Sequence, residues 1–125
     1  MRKLGTILAL LILVMACGQD RRVSIDSVSQ KEFEKLNTTE IQLLDVRTPN
    51  EVNNGIIKGA KVVNFCDEDF AKQVGQIFDK QKPLYIYCNA GGRSIKASSQ
   101  LVKAGFDEIH NLKGGYAEWI KNKKE

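Results

Sequence analysis

The sequence predicts an α/β domain built on a mostly parallel sheet, and three observations predict it. Short aliphatic or aromatic runs alternate with amphipathic helical stretches along residues 23–125, the order that strand–helix–strand units produce. One of those runs, 83–87, passes straight through Cys88-Asn89-Ala90-Gly91-Gly92-Arg93-Ser94 into a helical stretch. In open α/β sheets ligands bind at the C-terminal ends of the strands, where this loop falls. Finally, 125 residues suffice for one compact domain and exclude two of ordinary size. The composition, 42% hydrophobic and 27% charged, is that of a globular protein.

The first segment lies outside the fold. Met1-Arg2-Lys3 is a basic start, and residues 4–15 are a nearly unbroken apolar run, shorter than the ~20 residues a bilayer span needs. It reads as an export signal. Val14-Met15-Ala16-Cys17 resembles the bacterial lipobox, which implies a signal peptide of residues 1–16 and a lipidated Cys17 at the mature N-terminus. Diacylation and N-acylation, palmitate included, supply enough chains for lasting anchorage. Residues 17–22 then form a short tether, and 23–125 the domain. This places the protein in the bacterial cell envelope, lipid-anchored and facing the periplasm or the surface. The 19 basic residues lose Arg2 and Lys3 with the signal, so the net charge falls from +4 to +2. No nucleic-acid surface is indicated.

Within the domain, residues 23–25 suit an edge strand. Ser29 and Glu32 have capping-box spacing before a helix with Phe33 and Leu36 on its apolar side, and Asn37 stops it. Residues 41–46 read as a buried strand ending near Asp45. Arg47 and Glu51, four apart in a short helical turn, are expected to pair with each other, and Asp45, Arg47 and Glu51 are assigned structural support. Gly55 and Gly59 mark a turn, and residues 60–65 a strand with Cys66 after it. Phe70, Val74, Ile77 and Phe78 predict an amphipathic helix over 67–82. Residues 83–87 are a strand, bounded by Pro83. Ala97, Leu101 and Ala104, beside Ile95, Ser98 and Val102, give two helical rows that end at Gly105, where a left-handed residue would close the helix. The last strand is 108–112, and Tyr116, Trp119 and Ile120 face a last helix inward. His110, the one histidine, is assigned a structural or surface role, since no cysteine stands at metal-ligand spacing from it. Lys121, Lys123 and Lys124 form a solvated tail that suits a helix C-terminus.

The chemistry points to Cys88. Gly91 and Gly92 permit positive φ, so the loop N–H groups can curl inward as an anion nest. Ser94 is expected to cap the following helix, whose N-terminus favours negative charge, and Arg93 adds a permanent cation. Such surroundings lower a cysteine pKa from ~8.5 to roughly 3.5–7.5. Cys88 is therefore the candidate nucleophile, and Asn89, Ala90, Gly91, Gly92, Arg93 and Ser94 are the candidate substrate-binding loop.

Four stretches together resemble the single-domain rhodaneses. Cys88, Gly91, Arg93 and Ser94 match C-x-x-G-x-R-S, and Tyr87-Cys88-Asn89-Ala90-Gly91 is similar to the loop of a periplasmic member. Asp45-Val46-Arg47 with Glu51 matches D-V-R-x-x-x-E. Residues 55–60 match G-H-I-x-G-A except that Ile56 replaces histidine, and Leu112, Gly114, Gly115 and Trp119 match L-x-G-G-x-x-x-W. The resemblance covers nearly everything after residue 22. It implies a three-layer sandwich of about five strands with helices on both faces, and a monomer.

It also implies a sulfurtransferase that uses no metal or organic cofactor. The Cys88 thiolate takes sulfane sulfur from a small sulfur anion such as thiosulfate, or from a persulfide, and passes it to a thiol acceptor or cyanide. Arg93 would orient the dianionic donor, and Asn89 stands where many thiosulfate-using relatives carry a basic residue. Two other classes remain open. A redox or polysulfide-carrier module would join Cys66 and Cys88 as a disulfide in an oxidising envelope, or would carry polysulfide sulfur on Cys88 to a membrane partner. A phosphatase or arsenate reductase is disfavoured, because the tyrosine-phosphatase loop has one residue more between cysteine and arginine.

Overall fold

Neighbouring residues of a strand point to opposite sides of a sheet, and in this chain both sides are apolar, so the sheet needs cover on both. The protein is described over residues 21–125 by a computed structural model. Strands and helices alternate as β1 (Ser24–Val28), α1 (Gln30–Phe33), β2 (Gln42–Asp45), α2 (Pro49–Val52), β3 (Lys61–Val62), α3 (Phe70–Ile77), β4 (Leu84–Tyr87), α4 (Gly92–Lys103), β5 (Glu108–Leu112) and α5 (Gly115–Lys123). All pairings are parallel, in the order β1-β5-β4-β2-β3. The lipidation assignment at Cys17 and the signal peptide lie outside the described residues.

The two cores follow the strand alternation residue by residue. Leu44, Leu84, Ile86, Cys88 and Ile109 face one side, where Phe70 and Val74 of α3 and Ala97 and Leu101 of α4 cover them. Leu43, Tyr87 and Leu112 face the other, against Phe33 of α1 and Tyr116 of α5, with Trp119 and Ile120 packed beside them. Each large apolar side chain buried here contributes about 1.5–3 kcal/mol of transfer free energy. The result is the three-layer, five-stranded sandwich that the resemblance implies.

Element boundaries depart from the sequence reading where side chains compete for backbone groups. The strand expected over 60–65 is regular only at Lys61–Val62, because the Asn64 side chain accepts the Cys66 N–H (3.0 Å) and the Asn64 carbonyl accepts the Asp67 N–H (3.1 Å), which turns the chain. The helix expected over 67–82 is confined to Phe70–Ile77. Phe78 is extended (φ −115°, ψ 149°), and Gln42 captures the segment beyond it by accepting the Asp79 N–H (2.7 Å) and donating to the Asp79 carbonyl (3.0 Å). The first strand runs to Val28 rather than stopping at residue 25, since β5 pairs it along its length. The Ser29–Glu32 capping box is present, although α1 is a single turn. His110 lies between Asp26 and Glu108 and against the Tyr85 ring, joining β1 to β5 away from the loop after β4.

Candidate active site

β4 ends in the core, so the residue after Tyr87 starts its turn already buried. Cys88 is 1% exposed. Its sulfur accepts the Gly91 N–H at 2.9 Å, and its thiol lies 3.4 Å from the Ser94 hydroxyl, which in turn donates to the Gly91 carbonyl at 3.1 Å. Burial by itself pushes the Cys88 pKa up. The hydrogen bonds outweigh it: the Ser94 hydroxyl and the backbone N–H groups of Ser94, Gly91 and Ala90 together hold the thiol below its usual value. A hydrogen bond to a charged acceptor contributes about 1.5–3 kcal/mol, so three or four of them suffice to reverse a burial penalty of several kcal/mol.

Two details of the loop differ from the sequence reading. Ser94 does not cap α4; Gly91, at φ 117°, occupies that position, and Ser94 lies inside the first turn with its hydroxyl turned back to the sulfur. Only Gly91 of the two loop glycines has positive φ, with open space where a Cβ would stand, so the glycine serves conformation rather than room. Asn89, Ala90 and Gly92 are exposed and form the rim.

The charged residues also pair differently. Arg47 does not reach Glu51. Its guanidinium donates to both Asp45 oxygens (2.7–3.1 Å) and to the Gly55 carbonyl (2.8 Å), and it stacks 3.9 Å from the Tyr116 ring centre, with both Asp45 and Arg47 buried. Glu51 is the third residue of a four-residue helix opened by Thr48 and Pro49, too short to hold an i,i+4 partner. It accepts the Thr48 N–H (3.2 Å) and points across to α4. There Arg93 donates both terminal nitrogens to it, at 2.7 and 2.8 Å, and holds its carboxyl down to about 2. The fork expected to orient a dianion is thus paired with Glu51, and the pair ties α4 to α2.

One supporting contact was not anticipated. α5 donates its first N–H groups to the back of the loop, from Tyr116 to the Cys88 carbonyl (2.9 Å) and from Ala117 to the Asn89 carbonyl (3.0 Å), which leaves the loop amides free to face the sulfur. A Cβ on Gly115, at φ 61°, would lie 2.5 Å from the Cys88 carbonyl oxygen, so this approach requires glycine. The Gly114-Gly115 pair was the available sequence signal. Gln30 fastens the same turn through the Lys113 and Gly115 carbonyls. Cys66 and Cys88 are both free thiols, the first exposed and the second buried. Among the described residues, no group of three or more His, Cys, Asp or Glu could hold a metal ion.

Known proteins share this arrangement. The rhodanese-like domain family matches residues 29–122. The chain is 39% identical over 88 residues to thiosulfate sulfurtransferase 16 of the Arabidopsis thaliana chloroplast, covering 63% of this chain and 73% of that one. It is 35% identical over 119 residues to the uncharacterized protein YqhL of Bacillus subtilis, covering 93% and 91%. Among solved structures, a rhodanese-like domain protein from Staphylococcus aureus superposes with a TM-score of 0.65 at 29% identity, over 75% of this chain and 90% of that one. A five-stranded parallel sheet carrying a cysteine on an amide-lined loop at a helix N-terminus, matched by family over most of its length, makes this chain a member of the rhodanese-like domain family of sulfurtransferases.

Proposed function

We infer that the protein moves sulfane sulfur from thiosulfate or a persulfide donor to a thiol acceptor, or to cyanide in an assay, through a persulfide on Cys88. The carrying observation is the Cys88 sulfur held by the Gly91 N–H at 2.9 Å, with its pKa held below the usual thiol value despite burial, so that the thiolate forms more readily than at a free cysteine. That thiolate attacks the outer sulfur of thiosulfate, the S–S bond of the donor breaks, and sulfite leaves with the electron pair. The new outer sulfur carries negative charge, and the loop amides of Ala90, Gly91 and Ser94, which lower the Cys88 pKa, are the donors nearest at hand to stabilise it. An acceptor thiolate then takes the outer sulfur and restores the Cys88 thiolate. The names of the relatives support the donor class. Lipidated Cys17 places this chemistry at a membrane of the bacterial envelope, acting on soluble sulfur anions and thiols as a monomer.

Mass spectrometry after incubation with thiosulfate tests the reading. The full chain should gain one sulfur, about 32 Da, on the peptide holding Cys88, and Cys88→Ser should lose both that mass and thiocyanate formation from cyanide. A serine variant that still makes thiocyanate would end the persulfide mechanism.

A further inference from the structure

The two ends of the sheet differ in charge. All strands are parallel, so the Cys88 loop marks one end and the strand starts mark the other. At the starts, the Lys80 carbonyl accepts the Asp107 N–H (3.0 Å) and the Asp107 carbonyl accepts the Ser24 N–H (2.9 Å), which joins three chain segments into one surface. Helix α4 begins at the loop and runs 12 residues, about 18 Å, to reach that surface at Lys103. Arg22, Lys80, Lys82 and Lys103 are exposed, and among the described residues none of them has an ion-pair partner. Arg21 pairs with Asp107 and donates to the Gly105 carbonyl. Asp79 and Glu40 are the acidic neighbours, and α5 adds Lys121 and Lys123 at its own far end. At the catalytic end the balance reverses, because the exposed run Asp67-Glu68-Asp69 leads into α3 and Glu51 neutralises Arg93, with Lys113 beyond β5.

Arg21 and Lys80 also line an open cavity of about 480 Å³, with Gln81, Ala104, Gly105 and Asp107 completing its wall. A lipid phosphate fits that volume and that charge. The chain enters this same surface at Arg21, four residues beyond Cys17, and four residues span at most about 14 Å. A lipid on Cys17 therefore brings the basic end against the bilayer. The Cys88 loop stands farther out by the length of α4, beyond the ~8–10 Å over which a charged surface acts at ordinary salt.

We propose that the strand-start end docks on an anionic bilayer, with Arg22, Lys80, Lys82 and Lys103 against lipid phosphates, and turns the Cys88 loop toward water. The docking rests on the acylated Cys17 inferred above. Each lysine or arginine close to an anionic surface raises binding about fivefold. The acyl chains hold the protein, and the charges fix which end faces the lipid. Small sulfur anions and thiols then reach Cys88 from the aqueous side, where the acidic run 67–69 is kept clear of the like-charged surface.

The test takes the full chain, expressed in a bacterium and purified in detergent, into vesicles of phosphatidylcholine alone or mixed with phosphatidylglycerol. Amines are acetylated and the modified lysines located by peptide mass. On the mixed vesicles Lys80, Lys82 and Lys103 should react at least about fivefold more slowly than on phosphatidylcholine, Lys113 should react equally on both, and high salt should erase the difference. Lys80→Glu with Lys103→Glu should remove the protection of Lys82. Equal labelling of the three lysines on both vesicles, or protection of Lys113 in their place, overturns the proposal. Protection that survives high salt or the charge reversal overturns it too. The Cys17 peptide in the same digest decides the anchor separately: a bare Cys17 overturns the lipoprotein reading, whereas an acylated Cys17 with unprotected lysines overturns the docking alone.

Discussion

Replacing Glu51 by glutamine should destabilise the domain in a way that depends on pH. Glutamine keeps the capping geometry with Thr48, which accepts either residue, and removes the ion pair to Arg93. The carboxyl is drawn from 4.5 to about 2, chiefly by the Arg93 hydrogen bonds. A shift of that size corresponds to roughly 3 kcal/mol at 1.36 kcal/mol per unit. Both side chains keep nearly a third of their surface in water, and screening reduces the expected loss to about 1–2 kcal/mol. The sign follows from linkage: the folded pKa lies below the unfolded one, so the contribution is complete above pH 4.5 and is lost as pH falls through about 2. Urea unfolding of wild type and Glu51→Gln should differ most at pH 6–7, and the curves should approach each other toward pH 2–3. Arg93→Ala should show most of the same loss, with a double-mutant coupling of about 1 kcal/mol. A pH-independent gap, or independent effects of the two substitutions, would refute the pairing as the source.

Gly115→Ala combines a left-handed φ, costing about 1–2 kcal/mol, with a Cβ 2.5 Å from the Cys88 carbonyl oxygen. Loss of the two α5 hydrogen bonds adds about 1–3 kcal/mol, so unfolding should shift by about 2–5 kcal/mol and Cys88 alkylation at pH 7 should slow; a shift below 0.5 kcal/mol would show that α5 does not hold the loop. Cys17→Ala should release the protein from membranes or leave it unprocessed, as judged by fractionation and mass, and a membrane-bound variant of mature size would contradict the lipid anchor.

The layers and the nucleophile were legible because they rest on local signals. Period-two alternation in 83–87 assigns Leu84 and Ile86 to one core and Tyr87 to the other before any tertiary contact is known, and Gly91 announces the positive φ that bends the loop. What stayed hidden was the choice of partners. Arg47 and Glu51 are four apart, the spacing that favours pairing on a helix, but α2 starts only at Pro49, after Arg47, and residues far along the chain decide the outcome: Arg93, 42 positions away, takes Glu51, and Tyr116 receives the Arg47 guanidinium. Thr48 and Glu51 repeat the capping-box spacing of Ser29 and Glu32, and that shared pattern was the readable hint that Glu51 belongs to a helix start. The early end of α3 was similarly beyond local reading, since it depends on the Gln42 side chain one strand away.

These pairings change what the motif residues do. Arg93 looks in sequence like a cation reserved for an anionic substrate, yet Glu51 occupies both of its terminal nitrogens, and hydrogen bonds lead the effects that lower the Cys88 pKa. Binding charge with backbone N–H groups has a physical advantage for sulfur transfer. In the proposed transfer the negative centre moves outward by one S–S bond, about 2 Å, when the persulfide forms, and amides at the N-terminus of α4 favour negative charge in that region without aiming at a single position. A long side chain aimed at one position would favour one of the two states and slow the return. In that proposed reaction the Glu51–Arg93 pair would serve by holding α4 and the loop in place while the amides bind the sulfur.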